Sequence, residues 1–318
     1  MVSHEKEVPE FVYDLETERQ ALLATKAHRN IPEKSNGKLL AATWNLTNFG
    51  VQKRTGDDLA LMAEVISWFD LIAIQEVADS LEHLRILMSH LPPSYQVILS
   101  DIGGNDERAG FLYDSTKIER LELAAEVAVP PNDHRYIRMK GVSGAFNGFD
   151  RNPYVVAFRA GTLSFSAVSV HLYFGSNTYY DEDRRALEAY ALARWADQRQ
   201  KASGAYAHNV LVLGDFNLPK VDASSNVYKV LKSKGLVLPK HSTSMGSNLA
   251  GDKYYDQVAF HAGGMQHFYT GNSGVFDFDR TPFFQAAWDP ADDKNVYFNK
   301  AVKYHIADHR PLWVEFNI

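Results

Sequence analysis

Cysteine is absent from all 318 residues, so disulfides, thiolate nucleophiles and Cys-ligated zinc are excluded together. Also missing is any run of about 18 apolar residues of the kind that spans a bilayer, and the stretch Met1-Val2-Ser3-His4-Glu5-Lys6-Glu7 has no apolar signal core. The expectation is a soluble, cytoplasmic protein with no transmembrane segment. An excess of positive charge is lacking too: Lys and Arg number 33 against 39 Asp and Glu, a net charge of -6. That balance argues against broad electrostatic capture of nucleic acid. It leaves open a phosphate-directed enzyme, because a bound divalent cation supplies local positive charge that the bare chain does not carry. Repeats, low-complexity tracts and linkers are likewise missing. With 45% hydrophobic and 23% charged residues the composition is that of an ordinary globular chain.

What is present is a recurring junction. Five times an apolar run of strand length meets a polar residue of catalytic type. The run 39–44 ends in Asn45, 71–75 in Glu76, 165–170 in His171, and 210–214 in Asp215-Phe216-Asn217. In the fifth the order is reversed, with Asp308-His309 preceding the run 312–316. If these strands share one sheet, with the last antiparallel to the others, all five polar points gather at one edge, where open α/β sheets bind ligands.

Periodicity places a helix over 11–28 and a break over 32–37, predicting an N-terminal helical extension (1–37) outside a domain spanning 38–318. Strands and helices then alternate, with helices at 57–69 and 80–91, an α/β beginning. Short extended runs at 95–99, 109–113, 121–129, 154–158 and 162–171, separated by Gly, Pro and Asn, favour antiparallel pairing. A long helix is expected over 183–201 with Asp181 as N-cap, then a short helix at 225–234, a strand at 255–260 and an aromatic-rich loop region over 276–298.

On an extended backbone Asp215 and Asn217 face the same way while Phe216 faces the opposite layer. Glu76, Asp215 and Asp308 offer hard oxygen ligands, and Asn45 and Asn217 neutral ones, a set suited to Mg²⁺ or Mn²⁺. His171 and His309 are the proton-handling candidates, with Asp256 and Glu107 as carboxylates able to fix their tautomers. Such a set suits metal-assisted cleavage of a phosphate ester.

Trp44-Asn45, Gln75-Glu76-Val77, Ser169-Val170-His171, Gly214-Asp215-Phe216-Asn217, Tyr255-Asp256 and Ala307-Asp308-His309 occur in an order that resembles the endonuclease/exonuclease/phosphatase superfamily, nearest to deoxyribonuclease I. The resemblance spans about Leu39 to Ile318. It implies a four-layer α/β sandwich of two packed mixed β-sheets flanked by helices, and hydrolysis of phosphodiester bonds with a divalent metal. It casts Glu76 as the main metal ligand, helped by Asn45, Asp215, Asn217 and Asp308. By the same resemblance His309 with Asp256 is the general-base pair and His171 with Glu107 the second pair. Asp215 and Asn217 belong to the catalytic set, and Arg151, with Asn45, contacts phosphate.

Three departures bear on substrate. Where deoxyribonuclease I carries groove-reading side chains, this chain has Ala78, Asn105 and Thr47, and the lysine of the abasic-site branch after Gln-Glu is also missing. Nicking of ordinary duplex DNA does not follow from the fold. The leading expectation is a Mg²⁺-dependent nuclease acting on DNA or RNA. The alternatives are a phosphatase or phosphodiesterase for a small phosphorylated molecule or lipid headgroup, and a silent binding module that keeps the fold. Tyr173, Phe174, Tyr179 and Tyr180 could stack bases, but the favoured reading packs them in a long loop, with Arg184 and Arg185 on the exposed helix face. His241, His261, His267 and His305 stand outside any motif and are assigned no role.

Overall fold

The computed structural model describes residues 11–241, 245–280, 284 and 296–318. Its strands are β1 (Lys38–Phe49), β2 (Leu71–Ala78), β3 (Tyr95–Leu99), β4 (Glu107–Asp114), β5 (Ile118–Glu126), β6 (Tyr154–Ala160), β7 (Leu163–His171), β8 (Asn209–Asp215), β9 (Leu236–Val237), β10 (Asp256–His261), β11 (Tyr269–Val275) and β12 (Leu312–Asn317). The helices are α1 (Leu15–His28), α2 (Gly56–Ser67), α3 (Glu82–His90), α4 (Tyr179–Lys201), α5 (Asn226–Ser233) and α6 (Val296–His305).

Two six-stranded sheets form, in the orders β11-β12-β1-β2-β4-β3 and β5-β6-β7-β8-β10-β9. The single-sheet expectation is therefore corrected: β1, β2 and β12 lie in one sheet and β7 and β8 in the other. Strand alternation explains why. In β1, Leu39 and Ala41 join Leu71, Phe111, Phe158, Leu211 and Val258 in a core between the sheets. Leu40, Ala42 and Trp44 turn the other way, onto a layer that holds Leu59, Met62 and Ile66 of α2, Leu84 of α3 and Ala301 of α6. The second sheet's outer face, with Val168, Val170, Val210 and Val212, is covered by α4 and α5 through Ala189, Leu192, Val227 and Leu231. Strands buried on both faces read as continuous apolar runs, which is how they looked in the sequence. The result is the four-layer α/β sandwich that the resemblance implied.

Helix starts follow their caps. Thr55 and Asp58 form a reciprocal capping box at α2, and Ser225 caps α5. For α4 the expected cap is corrected. Thr178, not Asp181, is the N-cap and its hydroxyl accepts from the Asp181 N–H, so the helix begins earlier than the apolar spacing indicated.

Residues 11–37 are packed on the outer helical layer. Leu22 lies in its core, the Tyr13 hydroxyl donates to Asp58, and Phe11 and Tyr13 pack against the rings of Phe284 and His305. The part of the expected extension at 1–10 lies outside the described residues. So do 281–283 and 285–295 of the expected aromatic loop, whose far end is α6. Neither α6 nor the edge strand β11 was anticipated. The β11 sequence, Tyr-Thr-Gly-Asn-Ser-Gly-Val, is rich in turn formers, and its pairing with β12 is what makes it a strand.

Candidate active site

Strand register builds half of the site. His171 of β7 pairs with Asp215 of β8, which pairs with Asp256 of β10, so three polar residues stand in one row across the second sheet. All three continue the inward-facing alternation of Ala167, Leu211, Leu213 and Val258. Gly214 is what allows β8 to run this close. It sits at φ +145°, and a Cβ there would fall 2.0 Å from the Val170 carbonyl oxygen.

The facing sheet changes from apolar to polar along the same direction. Above Leu39 and Ala41 come Thr43, whose hydroxyl donates to Gln75 Oε1 at 3.3 Å, and Gln75, whose Nε2 donates to Ser169 Oγ at 2.9 Å across the sheets. Asn45 follows. Its Nδ2 donates to Glu76 Oε1 at 2.8 Å and to Asp215 Oδ2 at 3.1 Å, while its Oδ1 accepts from the Thr47 N–H. In this orientation Asn45 bridges the two carboxylates as a donor.

Glu76 reaches the site against simple alternation. Ile72 and Ile74 point to the helical layer, and Glu76 would follow them. Instead the register with β4 shifts between Ile74 and Val77, and Glu76 takes φ +60°. This bulge re-aims the side chain. Its Oε2 accepts from the Asn48 N–H at 2.7 Å, from a turn in which Thr47 and Asn48 are themselves left-handed. The Thr47 hydroxyl donates to Asp308 Oδ1 at 2.7 Å, and Asp308 also pairs with Lys303. Thr47 therefore ties β1 to the loop carrying Asp308 and His309. Neither it nor the Asn48 amide was singled out as part of the site. The only sequence signal is that Asn tolerates left-handed backbone.

Both histidines are backed by carboxylates. His309 Nδ1 lies 2.7 Å from Asp256 Oδ2, and His171 Nδ1 lies 2.8 Å from Glu107 Oε1. Their Nε2 atoms face the same oxygen, Asp215 Oδ2, at 3.9 and 3.6 Å respectively. Burial pushes the His309 pKa down, but Asp256, Asp215 and Asp308 overcome it and hold the ring well above its ordinary value. His171 is raised in the same way: burial and Arg151 oppose protonation, and Glu107 and Asp215 prevail. Asp215 moves down. Its burial favours the neutral acid, yet His309, His171, the Asn217 N–H and Asn45 stabilise the carboxylate.

Two expectations about orientation are corrected. Asn217 is not extended: at φ +49° its backbone N–H turns back to Asp215 Oδ1 at 2.8 Å and its Nδ2 donates to the Leu172 carbonyl at 2.7 Å. Phe216 does face the helical layer, as alternation required. Arg185 is not on an exposed face. It is 1% exposed and donates to the carbonyls of Tyr173, Phe174 and Asn217, whereas Tyr179 and Tyr180 are the exposed groups at 89% and 75%. Arg184 lies over the Tyr173 ring, 3.7 Å from its centroid.

Arg151 is buried, with Nε 2.9 Å from Glu107 Oε1 and donating to the His171 carbonyl at 3.0 Å. Its other nitrogens reach Asp150 and the Leu172 carbonyl. It lines, with Glu76, Glu107, Arg108 and His171, a cavity of about 70 Å³.

The donor chemistry fits a hard divalent cation. Among the described residues, Glu76, Glu107 and His171 can bring ligand atoms within 4.8 Å of one another, as can Asp215, Asp256 and His309. In the second set the Nδ1 of His309 is committed to Asp256. Glu76 is only part-buried and both of its oxygens are oriented by N–H donors, the kind of support that fixes a carboxylate ligand.

No family model matches the chain. A deoxyribonuclease of Thioalkalivibrio sp. (strain K90mix) is 29% identical over 197 residues, 59% of this chain and 49% of that protein. The chain thus spans about half the length of that curated relative. Among solved structures, the mannosyl-6-phosphatase of Bacteroides thetaiotaomicron superposes with a TM-score of 0.57 at 16% identity, covering 88% of this chain and 100% of the other. TDP2 of D. rerio, solved with a single-strand DNA product, gives 0.57 at 14% identity over 88% and 99%. An endonuclease/exonuclease/phosphatase family protein of Bacteroides thetaiotaomicron gives 0.55 at 16% identity over 88% and 94%. At these identities the structural likeness is one of fold. No helix among the described residues is long and apolar enough to cross a membrane.

Proposed function

Given the fold this chain shares with the endonuclease/exonuclease/phosphatase superfamily, we propose that it is a Mg²⁺-dependent phosphodiesterase, a nuclease that hydrolyses phosphodiester bonds of DNA or RNA. The observation that carries this reading is the convergence of two carboxylate-backed imidazoles on Asp215 Oδ2, beside Glu76. The likeness to a deoxyribonuclease supports it.

Glu76 would hold the cation, with Asp215, Asn217, Asp308 and Asn45 around it; Mn²⁺ suits the same oxygen donors. When bound, it supplies charge stabilisation to the phosphoryl oxygens. His309, its tautomer fixed by Asp256, takes a proton from the attacking water when its ring is neutral, a form that the surrounding carboxylates disfavour and that the cation's charge would restore. His171, whose protonated form is favoured by Glu107 and Asp215, would protonate the leaving oxygen or hold the phosphate. Arg151 acts on phosphate through the His171–Glu107 pair that it clamps, and Asn45 orients the two carboxylates it bridges.

The test is incubation of the purified protein with single- and double-stranded DNA and RNA, in Mg²⁺ or with chelator, with His171→Ala as control. Metal-dependent cleavage lost in the variant is expected. Absence of metal-dependent cleavage of every nucleic acid would sink the reading.

A second reading, hydrolysis of a small phosphorylated molecule or lipid headgroup, is favoured by Ala78, Asn105 and Thr47 at the groove-reading positions. Thr47 is moreover already spent on Asp308. The fold shared with a sugar phosphatase supports it as well. Faster turnover of a phosphorylated metabolite than of any oligonucleotide would decide in its favour.

A further inference from the structure

An aromatic row borders the site on the side of His309. The Tyr255 ring lies 6.1 Å from the His309 ring at a shallow 35° tilt, and Phe174 meets Tyr255 edge-on at 6.1 Å. Neither ring takes part in the proton handling above, and Phe174 is 37% exposed. It is nevertheless held firmly. Buried Arg185 donates Nη2 to the Phe174 carbonyl at 2.6 Å and places its guanidinium 5.4 Å from the ring centroid.

Arg185 also forms a wall of an adjoining cavity of about 360 Å³, lined further by Asn177, Glu182, Lys220, Ser225 and Lys253. Lys220 is exposed, and Lys253 is 3.9 Å from Asp252. The Phe174 ring and a polar cavity lined by two lysines and one glutamate thus share one buried arginine.

We propose that Phe174 and Tyr255 seat an unpaired base of a single-stranded nucleic-acid substrate, with the adjacent phosphate entering the cavity at Lys220 and Lys253. This rests on the nuclease reading and names its substrate class. A stacked duplex offers no free base face to such a row, and the side chains that would read a duplex groove are absent at 47, 78 and 105. Stacking on aromatic rings flanked by backbone-tracking cations is the physical pattern of sequence-tolerant single-strand binding.

The test uses Phe174→Ala and the double variant Lys220→Ala/Lys253→Ala on the full chain, with a single-stranded DNA oligonucleotide, an abasic strand of equal length and a matched duplex, all in Mg²⁺. The wild-type protein should prefer the base-bearing single strand. Phe174→Ala should raise KM for that strand about tenfold with kcat nearly kept, and leave the abasic strand unchanged, since one base stack is lost. The lysine variant should weaken both single strands and flatten the salt dependence.

Preference for duplex, or equal effects of Phe174→Ala on base-bearing and abasic strands, would overturn the proposal while leaving the nuclease reading standing. Failure of the wild-type protein to cut any strand would remove both. Thermal melting of each variant separates misfolding from a lost contact; if Phe174→Ala is unfolded, Phe174→Leu, which keeps bulk without a ring face, gives the same readout.

Discussion

His171 and His309 turn Nε2 toward one shared oxygen, Asp215 Oδ2, at 3.6 and 3.9 Å, while each Nδ1 is tied to a different carboxylate. The outer carboxylates back the two rings, and both Nε2 atoms meet in one place. Asp256→Asn keeps the shape of the His309 support but removes its charge and can stabilise the wrong tautomer. Loss of a positioned base costs about 10²- to 10⁴-fold. We expect kcat to fall within that range with KM nearly unchanged, measured as steady-state cleavage in saturating Mg²⁺. A fall in affinity without a fall in kcat would contradict the role given to Asp256.

Glu76 has both oxygens oriented by N–H donors from the Asn45 side chain and the Asn48 backbone. Glu76→Gln keeps the side-chain length, loses the charge, and places an amide group against one of those donors. The Mg²⁺ concentration for half-maximal activity should rise more than about tenfold, because even supporting residues of metal ligands cost 10- to 100-fold in affinity. Calorimetric titration of Mg²⁺ into both proteins reads the same change without turnover. Equal binding by the variant would move the cation away from Glu76.

The same carboxylate shows where sequence reading reaches its limit. Asp215, His171 and Asn45 sit where strict alternation puts them, so the apolar runs that end in them located them correctly. Glu76 arrives through a bulge and a positive φ, and no residue type near Gln75-Glu76-Val77 announces either. Asn217 was placed by assuming an extended backbone that stops at Asp215. Arg185 was read as exposed because nothing local neutralises it; its partners are carbonyls of residues 173, 174, 176 and 217, which the fold assembles. The division of the site-bearing strands between two sheets escaped the runs themselves, because a strand buried on both faces does not say which neighbour it has. The family resemblance was what implied the second sheet.

Arg310, next to His309, is fully buried. It makes a two-point ion pair with Asp279, both contacts at 2.6 Å, and donates to the Gly246 and Leu249 carbonyls. It anchors the loop that delivers His309 to the site. Removing one partner of a buried ion pair costs about 3–5 kcal/mol, since the other is left charged without compensation. Arg310→Met should lower the unfolding free energy in urea by that order. Arg310→Met combined with Asp279→Leu should recover part of the loss, which a simple packing defect would not.

Glu188 in α4 is 1% exposed and accepts the Asp150 and Tyr173 backbone N–H groups at 3.0 and 2.9 Å. Burial raises its pKa to about 7, against the pull of those two donors and of Arg184. A carboxyl group whose folded pKa lies above its unfolded value binds more protons in the folded state between the two. Its contribution to stability is therefore complete below the unfolded pKa of about 4.3 and is lost as pH rises toward 7, a swing of about 3–4 kcal/mol. Glu188→Gln cannot titrate, and one of its two backbone partners meets an NH₂ group, so below the unfolded pKa the variant should be less stable by about 1–3 kcal/mol, a gap that the wild-type swing cancels or reverses near neutral pH. That deficit should shrink as pH rises from 4.5 to 7.5. Urea unfolding of both proteins across that range measures the difference, and the other titrating groups cancel in it. A gap between the two proteins that stays constant with pH would mean that Glu188 is ionised throughout, held as a carboxylate by the Asp150 and Tyr173 amides.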